Sequence, residues 1–406
     1  MSPSTLPEGD PVPSDGSLPE SSRAEIAGRP LSIYLHIPFC RTRCGYCDFN
    51  TYTASELGDA PGASRDNYLR GVLAELDLAR RVLGEDAPPV GTIFVGGGTP
   101  TLLPAADLAA MVTGVRERFG LADDCEVTTE SNPDTVDLEY LEALRAGGFT
   151  RISFGMQSSS SRVLKLLDRE HTPGRAVDSV RLARQAGFDD ISLDLIYGTP
   201  GETMDEWTAS LEAALSAQPD HISAYSLIVE DGTRLAARIR RGELPMTDED
   251  ALADKYLAAE ALLTGQGLSA YEVSNWARGV RHRCRHNLAY WKGHNWWGIG
   301  PGAHSHVGGT RFWNVKHPAA YAGRLQRGES PAYAREVLDA DTRRIEQVML
   351  ELRLADGLDP GVLTTTERAR VPALLDRGLI HPEPGPLRLT LQGRLLADGV
   401  VRDLLD

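Results

Sequence analysis

Apolar residues alternate between two periods from Leu31 onward. Runs with period two at 31–37, 91–96, 124–130, 149–156, 189–197 and 220–228 read as strands. Amphipathic stretches with a period near 3.6 at 65–83, 104–118, 137–146, 174–186 and 203–216 separate them and read as helices. Six such units in series predict an α/β fold, a parallel sheet with helices outside, curled into a partial (β/α)6 barrel. Period two also sorts the side chains by face. Leu31, Ile33, Leu35 and Ile37 oppose Ser32, Tyr34 and His36, and Ile191, Leu193, Leu195 and Tyr197 oppose Ser192, Asp194 and Ile196. Glu126, Thr128 and Glu130 share a face, as do Arg151, Ser153, Gly155 and Gln157. The apolar faces should meet the helices, which turns the polar sets into the barrel.

Outside those units the pattern changes. Residues 1–28 are rich in Pro, Ser, Gly, Glu and Asp without apolar periodicity and read as a disordered tail. The barrel is expected over 29–230 and an extension of it over 231–330. A small C-terminal helical, winged-helix-like domain is expected over 331–406: helices at 341–355 and 365–376, a short hairpin from 378–381 and 387–389, and a final helix at 390–405. The charge of −15, from 42 basic and 57 acidic residues, argues against a nucleic-acid partner even for a winged-helix shape. No apolar run is long enough to span a membrane, and the acidic start is neither a secretory signal nor a transit peptide, so a soluble, cytoplasmic protein is expected. Five cysteines, three of them in one loop, give no disulfide framework and point to a reducing compartment.

That loop carries the chemistry. Cys40, Cys44 and Cys47 follow the first strand as CxxxCxxC, and three thiolates without a fourth leave one iron of an iron–sulfur cube open to an exchangeable ligand. A structural zinc site is the alternative; it needs a fourth ligand such as His36 or His286, and neither has the paired spacing of a zinc finger. Gly96-Gly97-Gly98-Thr99-Pro100, Glu130, Gln157 and Asp194 lie at or near the C-terminal ends of their strands, where parallel α/β barrels build their sites. A carboxylate inside the apolar run around Asp194 has to be paired or serve a ligand.

The run from His36 to Phe49 resembles the cluster loop of radical S-adenosylmethionine (SAM) proteins, in the branch of oxygen-independent coproporphyrinogen III oxidases and HemW-type heme chaperones. The resemblance implies that the open iron of a [4Fe-4S] cluster on Cys40, Cys44 and Cys47 chelates SAM, whose sulfonium is split by one electron. It assigns Gly98, Thr99, Glu130, Gln157, Arg169 and Asp194 to SAM, Tyr34 and Tyr46 to the neighbourhood of adenine or cluster, and Ile228 loosely to the wall. His286-Asn287-Leu288-Ala289-Tyr290-Trp291 matches the HNxxYW string of the chaperones, which implies heme contact by His286, Asn287, Tyr290 and Trp291. Composition alone also allows a basic loop beside an aromatic core, and His282, Cys284, His294, His304 and His306 compete as axial ligands. Arg281, Arg283 and Arg285 are expected to meet heme propionates.

These features imply a heme chaperone that delivers heme to hemoproteins such as membrane respiratory enzymes, with dimerisation left open. The alternative is oxidative decarboxylation of coproporphyrinogen III to protoporphyrinogen IX. Asp48-Phe49-Asn50 follows the triplet where those oxidases carry a further cysteine, which favours the chaperone.

Overall fold

The computed structural model describes residues 6–58, 65–169, 172 and 174–406. All six expected strands form: β1 Leu31–Ile37, β2 Val90–Gly97, β3 Leu121–Ser131, β4 Arg151–Gln157, β5 Asp190–Tyr197 and β6 His221–Ser226. Each pairs with the next in parallel register. Parallel neighbours need crossovers, supplied by helices Arg65–Leu83, Ala105–Phe119, Leu138–Ala146, Arg175–Gln185 and Met204–Ser216. Leu76, Leu108, Leu141, Val180 and Leu211 from those helices share one core with Ile33, Ile93, Ile152 and Leu193 from the strands. Burial of this apolar layer, worth about 25 cal/mol per Å², fixes which strand face looks inward.

The sheet continues past both ends of the barrel. Segments β7 Ser269–Ala270, β8 Asn275–Ala277, β9 Asn295–Ile299, β10 His304–Val307, β11 Thr310–Asn314 and β12 Ala332–Val337 complete twelve strands. Their order is β12-β11-β10-β9-β1-β2-β3-β4-β5-β6-β8-β7, so the wall stays open. β9 runs parallel to β1, whereas β10 to β12 and β7 to β8 join antiparallel.

The start of the chain departs from the expected disorder. Asp10 and Arg335 exchange backbone hydrogen bonds of 2.8 and 2.9 Å, and Leu18, Ser22 and Ile26 are buried. Glu25 takes a two-pronged ion pair from Arg343, and Ser22 Oγ lies 2.6 Å from Thr310 Oγ1. The edge strand β12 leaves unpaired N–H and C=O groups that need covering, and sparse apolar residues in a polar segment suffice to hold the cover. Residues 1–5 of that expectation lie outside the described residues.

Past β12 a second core forms from Val348, Leu352, Leu374, Leu379, Val400 and Leu404. The expected helix at 365–376 is split into Thr365–Arg368 and Val371–Asp376, with Pro372, which has no N–H to donate, in the first turn of the second piece. The expected helix at 390–405 is likewise two pieces, Leu391–Leu395 and Ala397–Leu405. The expected hairpin shrinks to isolated bridges, Ile380 with Leu389 and Leu358 with Leu387. Among the described residues no helix is long and apolar enough to cross a membrane.

One buried carboxylate ties the extension to the barrel. Glu75 accepts from Gly300 N at 2.8 Å, Asn314 Nδ2 at 2.7 Å and Tyr321 Oη at 2.6 Å. Burial pushes its carboxyl group from 4.5 up to about 7. The folded state therefore keeps this proton between about pH 4.5 and 7 while the unfolded chain gives it up, so the group's contribution to stability falls as pH rises through that window. Glu75→Gln, which turns an amide N–H against these donors, is expected to cost about 2 kcal/mol at pH 5. Chemical denaturation at pH 5 and pH 8 should show the deficit narrowing at the higher pH, where wild type bears an ionised interior carboxylate; a constant deficit would contradict this.

Candidate functional site

The register stacks the inward polar residues in layers. Ser32, Thr92 and Glu126 face one another across β1, β2 and β3, and Tyr34, Phe94 and Thr128 form the next layer. Above them Glu130 stands beside Ser153, and Gly155 beside Asp194, which itself adjoins Ser223. Helix-side burial of the odd-numbered apolar residues in β1 forces this arrangement, since a one-residue slip would exchange the two faces.

At the C-terminal ends of the strands the interior opens into a cavity of about 940 Å³. Cys40, Cys44 and Cys47 line it together with Tyr46, Gly98, Thr99, Glu130, Gln157, Arg169 and Asp194. Of the residues expected at cluster or SAM, Tyr34 alone is absent from this lining. It lies one layer lower, where its hydroxyl meets His36 Nδ1 at 3.0 Å and His36 Nε2 meets Asn50 O at 2.9 Å. Ile228, at the mouth, is 68% exposed. Ser153, Gly155 and Tyr225 also line the cavity. The alternation marked the first two as inward-facing without giving them a role.

The cysteine loop is held on two sides. Gly98 N donates to Ile37 O and Thr99 N to Phe39 O, both at 2.8 Å, which ties the glycine turn to the segment carrying Cys40. On the other side Gly45 N donates to Leu167 O at 3.0 Å, and Arg169 Nη1 lies 3.6 Å from Cys44 Sγ. Burial pushes the Cys47 thiol up to about 12 and raises Cys40 as well, so a cation has to stabilise the thiolates before they act as ligands. Among the described residues no three His, Cys, Asp or Glu side chains converge on a single-ion site. All three thiols line the one cavity, and three thiolates without a fourth are the ligand set that holds an iron–sulfur cube with one open iron.

The remaining donors suit a zwitterionic ligand. Glu130 takes a hydrogen bond from Gly97 N at 3.0 Å, and Ser153 Oγ reaches both Asp194 oxygens at 2.9 Å. Burial first, and then the Asp194 charge, pushes Glu130 up to about 8; burial also raises Asp194. Gln157 adopts a left-handed backbone at φ 58° where the β4–β5 register shifts, and its Oε1 is buried without a partner among the described residues, as is Arg169 Nε. Two acceptor carboxylates, an unpaired amide oxygen and an unpaired guanidinium N–H are complementary to cationic and anionic ends of one molecule.

The HNxxYW string is built into the barrel interior through its first turn. It forms helix Arg285–Trp291, and Glu126 accepts from Arg285 N at 3.0 Å and His286 N at 2.9 Å to fix its start inside the barrel. His286 is 1% exposed, with Nδ1 2.7 Å from Thr92 Oγ1 and Nε2 2.8 Å from Tyr290 Oη. Its ring stacks on Phe94 at 5.2 Å, and burial pushes its pKa down to about 3. Both ring nitrogens of His286 are therefore engaged within the barrel, by Thr92 and Tyr290. Asn287 and Trp291 are only half-buried. The three arginines do not converge either, since Arg281 faces Asp189, Arg283 pairs with Asp356 and Arg285 with Asp124.

The radical SAM superfamily matches residues 34–214, the stretch that holds the end of β1, the cysteine loop and the barrel strands β2 to β5. The fold is therefore that of a radical SAM protein. Solved coproporphyrinogen III oxidase HemN from Escherichia coli superposes with a TM-score of 0.79 at 25% identity, over 94% of this chain and 92% of that one. The heme chaperone HemW of Mycobacterium tuberculosis H37Rv is 51% identical over 382 residues, 94% of this chain and 96% of that protein. HemW of Bacillus subtilis is 32% identical over 91% of this chain and 97% of that protein. The chain belongs to the HemW heme-chaperone family.

Proposed function

We propose that this protein is a heme chaperone that binds a [4Fe-4S] cluster, SAM and heme, and delivers heme to hemoproteins, membrane respiratory enzymes among them. The observation that carries the reading is the conjunction of three cysteines, two cavity-lining carboxylates and the unpaired Gln157 and Arg169 atoms around one cavity in a chain half identical to a heme chaperone. Cys40, Cys44 and Cys47 hold the cluster, which when bound supplies one open iron and one transferable electron. Gly98 and Thr99 bring backbone close to the ligand, Glu130 and Asp194 take the cationic groups of SAM, Arg169 and Gln157 its remaining polar atoms, and Tyr46 the outer wall. Tyr34 acts from below, by fixing His36 against the cluster loop.

Heme contact falls to Asn287 and Trp291 at the outer side of the 285–291 helix, while His286 and Tyr290 anchor that helix. Ligation by His286 requires release from Thr92 and Tyr290. The segments 29–230, 231–330 and 331–406 serve as cofactor barrel, heme-contact extension and cover.

The fold likeness to HemN supports one second reading, oxidative decarboxylation of coproporphyrinogen III. Anaerobically reconstituted protein given SAM, reductant and coproporphyrinogen III separates the two. Unchanged tetrapyrrole, with heme passing from the loaded protein to an apo-hemoprotein, is the expected result; a twice-decarboxylated product with matching deoxyadenosine overturns it. In a heme titration Trp291→Ala is expected to weaken binding several-fold, whereas His286→Ala is expected to lower the melting temperature and leave heme affinity nearly unchanged.

A further inference from the structure

Four histidines and one thiol compete with His286 for a heme iron, and what their donor atoms already hold separates them. His282 Nδ1 meets Asp190 Oδ1, and Arg151 holds the carbonyl of the same residue. The buried Cys284 thiol lies 3.6 Å from Glu126 Oε1, and burial first, then the Glu126 charge, pushes its pKa up to about 12. His306 is 8% exposed, with Nδ1 3.2 Å from His294 O. Among the described residues, His294 and His304 leave both ring nitrogens without a hydrogen-bond partner. His294 is half-buried, with Arg29 donating to the carbonyl of Gly293 just before it, whereas His304 is exposed.

His304 stands on a face suited to a flat apolar ligand. It opens β10, where alternation puts it on the same side as His306. His306 is the register partner of Trp296 in β9, with ring centroids 4.9 Å apart, and Trp296 is 4.8 Å from the ring of Tyr290 in the HNxxYW helix. Trp296 is half-buried, and its Nε1 donates to His304 O at 3.2 Å. Gly298, the partner of Tyr34 across β1 and β9, adds no side chain to this face. Behind His304 its own register partner, the buried Trp313, stacks on the imidazole at 5.8 Å and 22°, which holds the ring in place and leaves its nitrogens at the edge. Partial desolvation first, then the Lys316 charge, lowers the His304 pKa, so the ring is neutral, the form that binds a metal. Lys316 makes no ion pair among the described residues and is a cation for a carboxylate of the ligand.

We propose that His304 is the axial ligand through which this protein holds heme iron, with the macrocycle over Trp296 and Gly298 and a propionate toward Lys316. The proposal rests on the heme-chaperone reading above. One nitrogen of the neutral imidazole gives its lone pair to the iron; no electron is transferred and no proton is released. The HNxxYW helix, through Tyr290 against Trp296, borders the edge of the same macrocycle. A single imidazole on an exposed face leaves the opposite axial position to a ligand of the acceptor, so heme passes on by exchange of one axial bond for another.

The test titrates heme into the full-length protein and its variants, following the Soret band for affinity and the iron–imidazole stretch of the ferrous form by resonance Raman spectroscopy. His304→Ala is expected to weaken binding by more than about tenfold, since even the outer-shell partners of a metal ligand are worth that much, and to lose the iron–imidazole band. His304→Gly is expected to regain the band when free imidazole is added, which separates a lost ligand from a damaged fold. His294→Ala is expected to keep both affinity and band. An unchanged band in His304→Ala would overturn the assignment, as would loss of the band in His294→Ala or a failure of imidazole to restore it in His304→Gly. Wild-type protein that binds no heme would instead overturn the reading on which the proposal rests.

Discussion

Gly98→Val is expected to remove nearly all bound iron while the chain still folds. A Cβ at this position would sit 2.4 Å from Phe39 O, 2.9 Å from Phe39 C and 3.0 Å from Cys40 Sγ. Two of these neighbours are backbone atoms, which cannot swing aside as a long side chain can. The strain goes directly into the segment that presents the first cysteine, because the Gly98–Ile37 and Thr99–Phe39 hydrogen bonds clamp the two segments together. Crowding of this kind costs about 1–3 kcal/mol, a modest share of the stability of a barrel with so large an apolar core. Iron and sulfide analysis after anaerobic reconstitution should therefore fall by more than about tenfold, with a melting temperature lowered by only a few degrees. Gly28→Ala, where nothing lies within 4 Å, is the matched control. Full iron content in Gly98→Val would show that the glycine turn does not shape the cluster loop.

What could be read ahead of the structure was what repeats. The six barrel strands and their helices announce themselves through two clean periods, and period two alone brings Glu130, Ser153 and Asp194 to one interior. The cysteine spacing and the position of polar residues at strand ends located the cavity. Three things stayed hidden for physical reasons. The N-terminal segment carries its buried residues singly, at Leu18, Ser22 and Ile26, and a cover strip over a sheet edge needs no periodicity of its own. Strands β7 and β8 are two and three residues long, too brief for alternation to register, and Gly298 interrupts β9. The HNxxYW string reads by composition as a ligand set, yet His286 and Tyr290 are four residues apart and share one helix face, and that spacing was the available sign that they bond to each other. Glu126 was placed on the inward face, but nothing in the sequence signals that it receives the start of a helix about 160 residues later.

Affinity for SAM is expected to rise with pH, and Glu130 is the reason. Its carboxyl group, pushed up to about 8 by burial and by the nearby Asp194 charge, keeps its proton in most molecules at neutral pH. A cationic group of the ligand has to displace that proton, so proton and ligand compete. Binding measured by calorimetry in buffers of different ionisation enthalpy should release close to one proton at pH 6.5 and almost none above pH 9, with the dissociation constant falling as pH rises through about 8. Glu130→Gln removes the acceptor charge from a buried pair, which costs about 3 kcal/mol or roughly a hundredfold in affinity, and abolishes the proton release. Asp194→Asn distinguishes this account from a general effect of burial. With the neighbouring charge gone, Glu130 loses one of the two causes that raise it, and the pH profile should move to lower pH even though the cavity has lost a carboxylate of its own. Glu130→Gln that binds SAM with the wild-type affinity and pH profile would remove Glu130 from the site, whereas an unmoved profile in Asp194→Asn would leave burial as the sole cause of its raised pKa.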